Sequence, residues 1–473
     1  MSKRTKIVAT LGPSTDSPEV LDGLLEAGVD VVRLNFSHGS EADRERRVRE
    51  IRAAAARAGR DVGILGDLQG PKIRVERFSD GPVSLREGAH FALDTALAAD
   101  AGDAHAVGIS YKSLPGDVAP GDVLLLNDGA ITLEVQAVAG TRIDCVVKVG
   151  GLLSDNKGIN RQGGGLSAGA LTAKDREDIR HAATLDLDFL AVSFPRSAAD
   201  IEEARALLAE AGGQALMVAK IERAEAVERI EEIARASEVV MVARGDLGVE
   251  IGFAEVPGVQ KNIIRVARSL NRIIITATQM MESMIHEPIP TRAEVSDVAN
   301  AVIDGTDAVM LSGETAVGRY PVKAVQAMAG ACVSAEKQRA TSISHHRMDQ
   351  VFQRTDEAIA MATMYIANHM NVKAIVALTE SGSTALWMSR IRSGIPIYAF
   401  SRNEGTRRRV VLYRGVYPVP FDVTLTGDDG FGLVCEALKS RGIVAEGDRI
   451  LLTEGREAGV AGGTNTLRVL MVG

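Results

Sequence analysis

Eight short apolar runs, each closing on polar or charged residues, organise the first two thirds of the chain. They read KIVAT, VVRLN, VGILGD, FLAVSF, LMVAKIE, VVMVARGD, RIIITATQ and AVMLSG, most of them separated by a helical pattern. Strands alternating with helices predict a parallel sheet, and eight such units predict a closed (β/α)8 barrel, an α/β fold with its chemistry at the C-terminal strand ends. Those ends carry Arg33, Asn35, Asp67, Lys220, Glu222, Asp246, Thr278 and Glu314. Cations and carboxylates crowded into one mouth need a counter-ion and a substrate to balance them. The pattern therefore points to a divalent metal facing a phosphorylated anion.

At 473 residues the chain exceeds what one core usually supports. After Asp67 the pattern turns to strand alternation, as in DVLLLNDGAITLEVQAV (122–138) and TRIDCVVKV (141–149). This predicts a small β-barrel lid, residues 71–170, inserted into a catalytic barrel formed by residues 1–70 and 171–342. The glycine-rich return segment, 150–169, reads equally as a hinge or as a series of tight turns. Helices are expected over 171–185, where Thr172 and Asp175 have capping spacing, over 197–211 and over 291–304. A further helix follows Pro321 and passes through Cys332. The polar stretch RATSISHHRMDQ (339–350) marks a boundary. From 351 to 473 the runs AIVAL, IPIYAF, VYPVPF, RILLT and LRVLMV predict an open C-terminal α/β domain.

A net charge of -8 argues against a broad nucleic-acid surface or a polybasic membrane face. Cys145, Cys332 and Cys435 are too scattered for a zinc site or a disulfide framework. No stretch reaches the roughly 20 apolar residues of a membrane span, and the start of the chain carries no export signal, so a cytoplasmic protein is expected.

Lys220 and Glu222 stand two residues apart, so on a strand both point to one side. There the ammonium can neutralise a phosphoryl oxygen while the carboxylate holds a hard cation. Elsewhere the same spacing is an ordinary surface ion pair. Asp246 can supply a second carboxylate beside Gly245, where a short helix would aim its amides at an anion; the alternative is a turn with a capping Asp. Thr278 offers a hydroxyl to substrate or water, or else serves β packing. Met280, Met281 and Met284 read as core.

The motifs RLNFSHG (33–39), DLQGPKIR (67–74), AKIER (219–223), ARGDLGVEIG (243–252), TATQMMESM (276–284), PTRAEVSDVANAVIDGTDAVMLSGETA (290–316) and TNTLRV (464–469) resemble the pyruvate kinase family, in order and over essentially the whole chain. The resemblance implies a phosphotransferase of glycolysis that moves phosphoryl from phosphoenolpyruvate to ADP and protonates the enolpyruvate. It implies Arg33 and Lys220 on the phosphoryl group, Glu222 and Asp246 on Mg2+ with Mn2+ as a substitute, and Gly245, Asp246 and Thr278 on the substrate. Asn35, Phe36, Ser37, His38, Arg74 and Lys157 fall at nucleotide positions. Thr278 with water, or a relay through Ser312 and Glu314, would supply the proton. A homotetramer is also implied.

Asn35, Ser37, Asp67 and the Leu68 carbonyl match the family's monovalent-cation site. K+-requiring members resemble one another in carrying Thr-Lys and a glutamate where this chain has Leu68, Gln69 and Lys72. Lys72 could supply the missing charge internally, so activity without K+ is expected. In the C-terminal regulatory domain the loop TESGSTA, with Thr379, Ser381, Gly382, Ser383 and Thr384, matches a phosphate loop for an allosteric effector, although Ser383 replaces a basic residue. Helix caps use the same residue types. The cluster Arg407 to Arg409 reads first as a solvated face. The alternatives are a noncatalytic sugar-phosphate sensor and another phosphoenolpyruvate-using barrel.

Overall fold

A computed structural model of the chain describes residues 3–342, 351–422, 428–455 and 462–473. The second half of the polar boundary stretch, 343–350, lies outside the described residues. All eight apolar runs form strands: β1 (Lys6–Thr10), β2 (Val31–Asn35), β3 (Gly63–Asp67), β4 (Phe189–Val192), β5 (Leu216–Ile221), β6 (Val239–Ala243), β7 (Ile273–Ala277) and β8 (Ala308–Leu311). Each pairs in parallel with the next, and β8 closes on β1 with Lys6 opposite Ala308. One face of each strand fills the barrel interior, with Val8, Val31, Phe189, Val218, Met241 and Ile275. The other packs under the helices, with Ile7, Val32, Ile64, Leu190 and Val240. Burial on both faces is why these strands read as unbroken apolar runs.

The expected outer helices form at Ala173–Thr184, Ala198–Glu210 and Arg292–Asp304. Thr172 caps the first: its hydroxyl accepts the Asp175 N–H while the Asp175 carboxylate accepts the Thr172 N–H at 2.9 Å. The other Asp175 oxygen accepts Gly70 N–H at 3.0 Å, so the cap also fixes the departure of the chain from β3. Thr172→Ala removes one arm of the box, and an unfolding free energy about 1 kcal/mol lower is expected in a urea titration. Met280, Met281 and Met284 are fully buried in the core.

Between β3 and β4 the chain builds a six-stranded sheet in the order Ile159–Arg161, Val123–Leu126, Ile131–Ala139, Arg142–Val149, His90–Asp94, Ala106–Gly108, and a two-stranded sheet of Gly151–Leu153 with Val83–Leu85. They share an apolar core of their own. The glycine-rich return segment supplies two of these strands, then turns through Gly163, Gly164 and Gly165, all at positive φ. Both readings of it were therefore incomplete.

The C-terminal sheet has the order Val416–Pro420, Ile397–Ser401, Ala374–Leu378, Arg449–Gly455, Thr464–Met471, with only the last pair antiparallel. It packs against the N-terminal ends of the barrel strands. Lys6, buried at the start of β1, donates to Val416 O at 2.5 Å and lies over the Tyr417 ring. Arg390 forms a buried pair with Asp307, just before β8.

The cluster Arg407 to Arg409 is not a solvated face. Arg407 pairs with Asp61 before β3 at 3.2 Å, Arg408 with Asp188 before β4 at 2.9 Å, and Arg409 donates to Gln214 O before β5 at 2.7 Å. Solvation loses here to carboxylates and a carbonyl that the fold brings in from distant sequence.

Candidate active site

A cavity of about 610 Å3 opens between the barrel mouth and the inserted sheets. Arg33, Asn35, Ser37, Asp67, Leu68, Lys72, Arg74, Lys157, Lys220, Glu222 and Asp246 all line it. At its floor the charges alternate. Arg33 donates from Nε to Asp67 at 2.6 Å and from Nη1 to Thr10 Oγ1 at 3.1 Å. Lys220 Nζ lies 3.2 Å from the other Asp67 oxygen and 2.9 Å from Glu222 Oε1. The predicted common side of Lys220 and Glu222 is thus a direct contact.

Burial works against the Lys220 ammonium, yet Asp67 and Glu222 raise its pKa above the ordinary value, so it stays charged. Asp67 is also fully buried, and Arg33 and Lys220 hold it below the carboxylate range. Glu222 moves the other way: burial pushes it up to about 7 against the pull of Lys220, and Asp246 adds to the rise. Burial raises Asp246 as well. Two adjacent carboxylates that both resist ionisation form a hard-oxygen pair that a divalent cation would relieve, and Mg2+ commonly takes one or two protein carboxylates. Among the described residues no three His, Cys, Asp or Glu side chains gather as a metal site here or elsewhere, so the pair would leave most of the ion's coordination to substrate and water.

Asp246 sits in the first turn of the helix Arg244–Ile251, which starts directly after β6 as expected. Thr278 lies one residue beyond β7 and adopts φ 66°, a left-handed conformation that costs a β-branched residue about 1–3 kcal/mol. It is therefore not a packing residue of the strand. Gly245 N–H donates to its hydroxyl at 2.8 Å, that hydroxyl donates to Ala277 O at 2.7 Å, and Arg244 Nη2 donates to its carbonyl at 2.7 Å. These bonds hold the strained residue beside the start of the Asp246 helix.

The remaining expected residues divide. Asn35 accepts the Ser37 N–H at 3.0 Å, which shapes the loop after β2. The Phe36 ring is buried under the Arg44 guanidinium, so its side chain belongs to the core. Partial burial, then Lys72, Arg74 and Arg33, lower the His38 pKa. Burial and then Arg74 and Lys174 lower that of Lys72. Glu314 is buried and accepts N–H groups from Met281 at 3.0 Å and Ser312 at 2.7 Å, stapling the loops after β7 and β8. In the C-terminal loop the Thr379 hydroxyl accepts Gly382 N–H and Thr384 bonds Thr464, both internally, which leaves Ser381 exposed and Ser383 partly so.

Ser193 and Glu250 are among the cavity residues that escaped the sequence reading. Ser193, one residue past β4, accepts from Lys220 Nζ at 2.7 Å and donates to Leu68 O at 2.7 Å. Its place at a strand end inside FLAVSF was the available signal. Glu250, one turn after Asp246, accepts Ala224 N–H at 2.9 Å, and burial pushes it up to about 7.

The family model for the pyruvate kinase barrel domain matches residues 2–325, and that for the pyruvate kinase alpha/beta domain matches residues 357–470. Pyruvate kinase II of Salmonella typhimurium is 55% identical over 474 residues, covering 99% of each chain. The pyruvate kinase of Haemophilus influenzae is 53% identical with the same coverage, and that of Geobacillus stearothermophilus 42% identical, covering 100% of this chain and 81% of its own. With both halves matched and identity above one half from end to end, the chain belongs to the pyruvate kinase family.

Proposed function

We propose that the alternating charge row Arg33, Asp67, Lys220, Glu222 is the phosphoryl-transfer centre, and this row is the observation that carries the mechanism. As a pyruvate kinase the protein is a phosphotransferase that takes phosphoenolpyruvate and ADP, with a divalent metal. Arg33 and Lys220, each anchored by Asp67, present fixed positive charge to the transferring phosphoryl group. Such transfer is mostly positioning and electrostatic stabilisation. Glu222 and Asp246 are the residues that would hold Mg2+, or Mn2+ in its place. The bound ion would neutralise developing charge on phosphoryl and enolate oxygens. Gly245, Asp246 and Thr278 contact the substrate. Asn35 to His38, Arg74 and Lys157 receive the nucleotide, Phe36 through its backbone. The lid side of the cavity excludes water that would compete with ADP. The strained Thr278 hydroxyl, through water, is the favoured source of the proton. Ser312 and Glu314 act by fixing the neighbouring loops.

We divide the chain into a catalytic barrel, 1–70 with 171–342, an inserted lid, 71–170, and a C-terminal unit, 351–473. Lys72 lines the same cavity as Asn35, Ser37, Asp67 and Leu68, and Asp67 is already shared by Arg33 and Lys220; both support activity without K+ at that region. Pyruvate formation from phosphoenolpyruvate and ADP with Mg2+, in buffer free of K+, is the test. Turnover within about twofold of the rate with K+ is expected, and dependence on K+ would refute the role given to Lys72.

The C-terminal loop follows the strand at which the sheet order reverses, where α/β sheets bind ligands, and this supports a phosphorylated effector at Ser381 and Ser383. Exposed Phe253, Ile289 and Val317, with Val469 and Met471 on the edge strand, support a homotetramer. No described helix is long and apolar enough to cross a membrane, and a cytoplasmic location fits the family's reaction.

The Glu222 carboxyl, raised to about 7, must lose its proton to take a metal. Mn2+ affinity is therefore expected to fall about tenfold between pH 8 and pH 6, read by titration of the metal-free protein. In that protein the sign of stability is opposite to that of an ordinary ion-paired carboxylate: the Glu222 contribution is full below its unfolded pKa and is lost as pH rises through about 7.

A further inference from the structure

Where the C-terminal unit meets the barrel floor, Arg4, Arg268, Arg390, Arg392 and Arg414 converge on a cavity of about 20 Å3. Asp307 is the one carboxylate lining it, and Arg390 takes both of its oxygens. Arg4 has Glu336 at 3.6 Å. Arg268, Arg392 and Arg414 have no carboxylate within ion-pair distance among the described residues. They donate to carbonyls instead: Arg268 to Arg390 O at 2.9 Å, Arg392 to Ile303 O at 2.9 Å, and Arg414 Nη1 to Val302 O at 3.0 Å. Val302 and Ile303 lie in the last turn of the helix Arg292–Asp304, whose dipole supplies only about half a negative charge.

Asp304, Asp307 and Glu336 act on these guanidiniums from farther off, and five arginines against three carboxylates still leave an excess of positive charge at this partly buried junction. Gly305 permits the crowding: a Cβ there would meet Arg268 Nη1 at 2.4 Å and Arg392 Nη2 at 3.0 Å. Arg414 Nη2 is enclosed with no acceptor among the described residues. Burial, and then Arg392 and Arg390, push Arg268 down to about 9, while burial chiefly pushes Arg414 down to about 10. A guanidinium keeps its proton in proteins, so the excess charge favours a bound anion.

We propose that a single small anion of the halide class binds at Arg414 Nη2, between Arg268 and Arg392, as a counter-ion joining the barrel to the C-terminal unit. The cavity exceeds the roughly 10–15 Å3 that one water requires, which suits a one-atom anion.

Crystals of the full chain grown in sodium bromide test this directly. An anomalous peak within hydrogen-bonding distance of Arg414 Nη2 is expected, and a water in that position overturns the proposal. In solution, exchanging gluconate for chloride at constant ionic strength is expected to raise Tm saturably by roughly 2 °C. Arg414→Met should abolish that rise. Should that variant fail to fold, Arg268→Met carries the same comparison. A bromide peak without the Tm response would mark an adventitious ion only and overturn the proposal, as would an unchanged chloride response in the variant.

Discussion

Lys220→Met is expected to lower kcat by about 1,000-fold or more, with a much smaller change in KM for phosphoenolpyruvate. Among the described residues the ammonium is the one cation that touches both Asp67 and Glu222, so its charge lies where the proposed phosphoryl transfer and the carboxylate pair meet. The fold should survive. Asp67 keeps Arg33 at 2.6 Å, and Glu222 keeps the Phe194 N–H at 2.8 Å. Without its cation Glu222 holds a proton more tightly, so the variant should lose more stability at pH 8 than at pH 6. Steady-state kinetics and thermal unfolding at both pH values check this. A variant that retains wild-type kcat removes Lys220 from the mechanism.

Arg390→Met carries the largest expected loss of stability, about 3 kcal/mol in a urea titration, because it strands a buried carboxylate. The value belongs at the low end for a broken buried pair, since Asp307 still accepts Ile274 N–H at 2.9 Å and Arg414 N–H at 3.2 Å. Adding Asp307→Asn should recover part of the loss, and the double-mutant cycle isolates the pair. Full additivity of the two substitutions would show that the ion pair contributes nothing of its own.

The barrel was legible because strands buried on both faces cannot tolerate interruption, so each of the eight left an apolar run, and six of them lead into a candidate site residue. Lys220 and Glu222 were legible for a related reason: a two-residue step on a strand has one geometric meaning. The arginines at 407 to 409 were not. Arg407 reaches Asp61 across 346 residues of sequence, and a basic run looks the same whether water or a carboxylate faces it. Thr278 was misleading in its alternative reading, since its place one residue past the strand, at φ 66°, leaves no mark in composition. In the C-terminal loop 379–385 the sequence counts hydroxyls but cannot tell that Thr379 and Thr384 are already engaged.

The contacts of the C-terminal unit with the barrel described above, at Lys6, Asp61, Asp188, Gln214 and Asp307, all meet their strands at the N-terminal end, whereas Arg33, Asp67 and Lys220 stand at or near the opposite end. A strand of five residues spans about 16 Å. An effector at the C-terminal loop, as proposed, would therefore act on the chemistry from the far end of the barrel, and the stiffness of the strands between would set how much of its effect arrives.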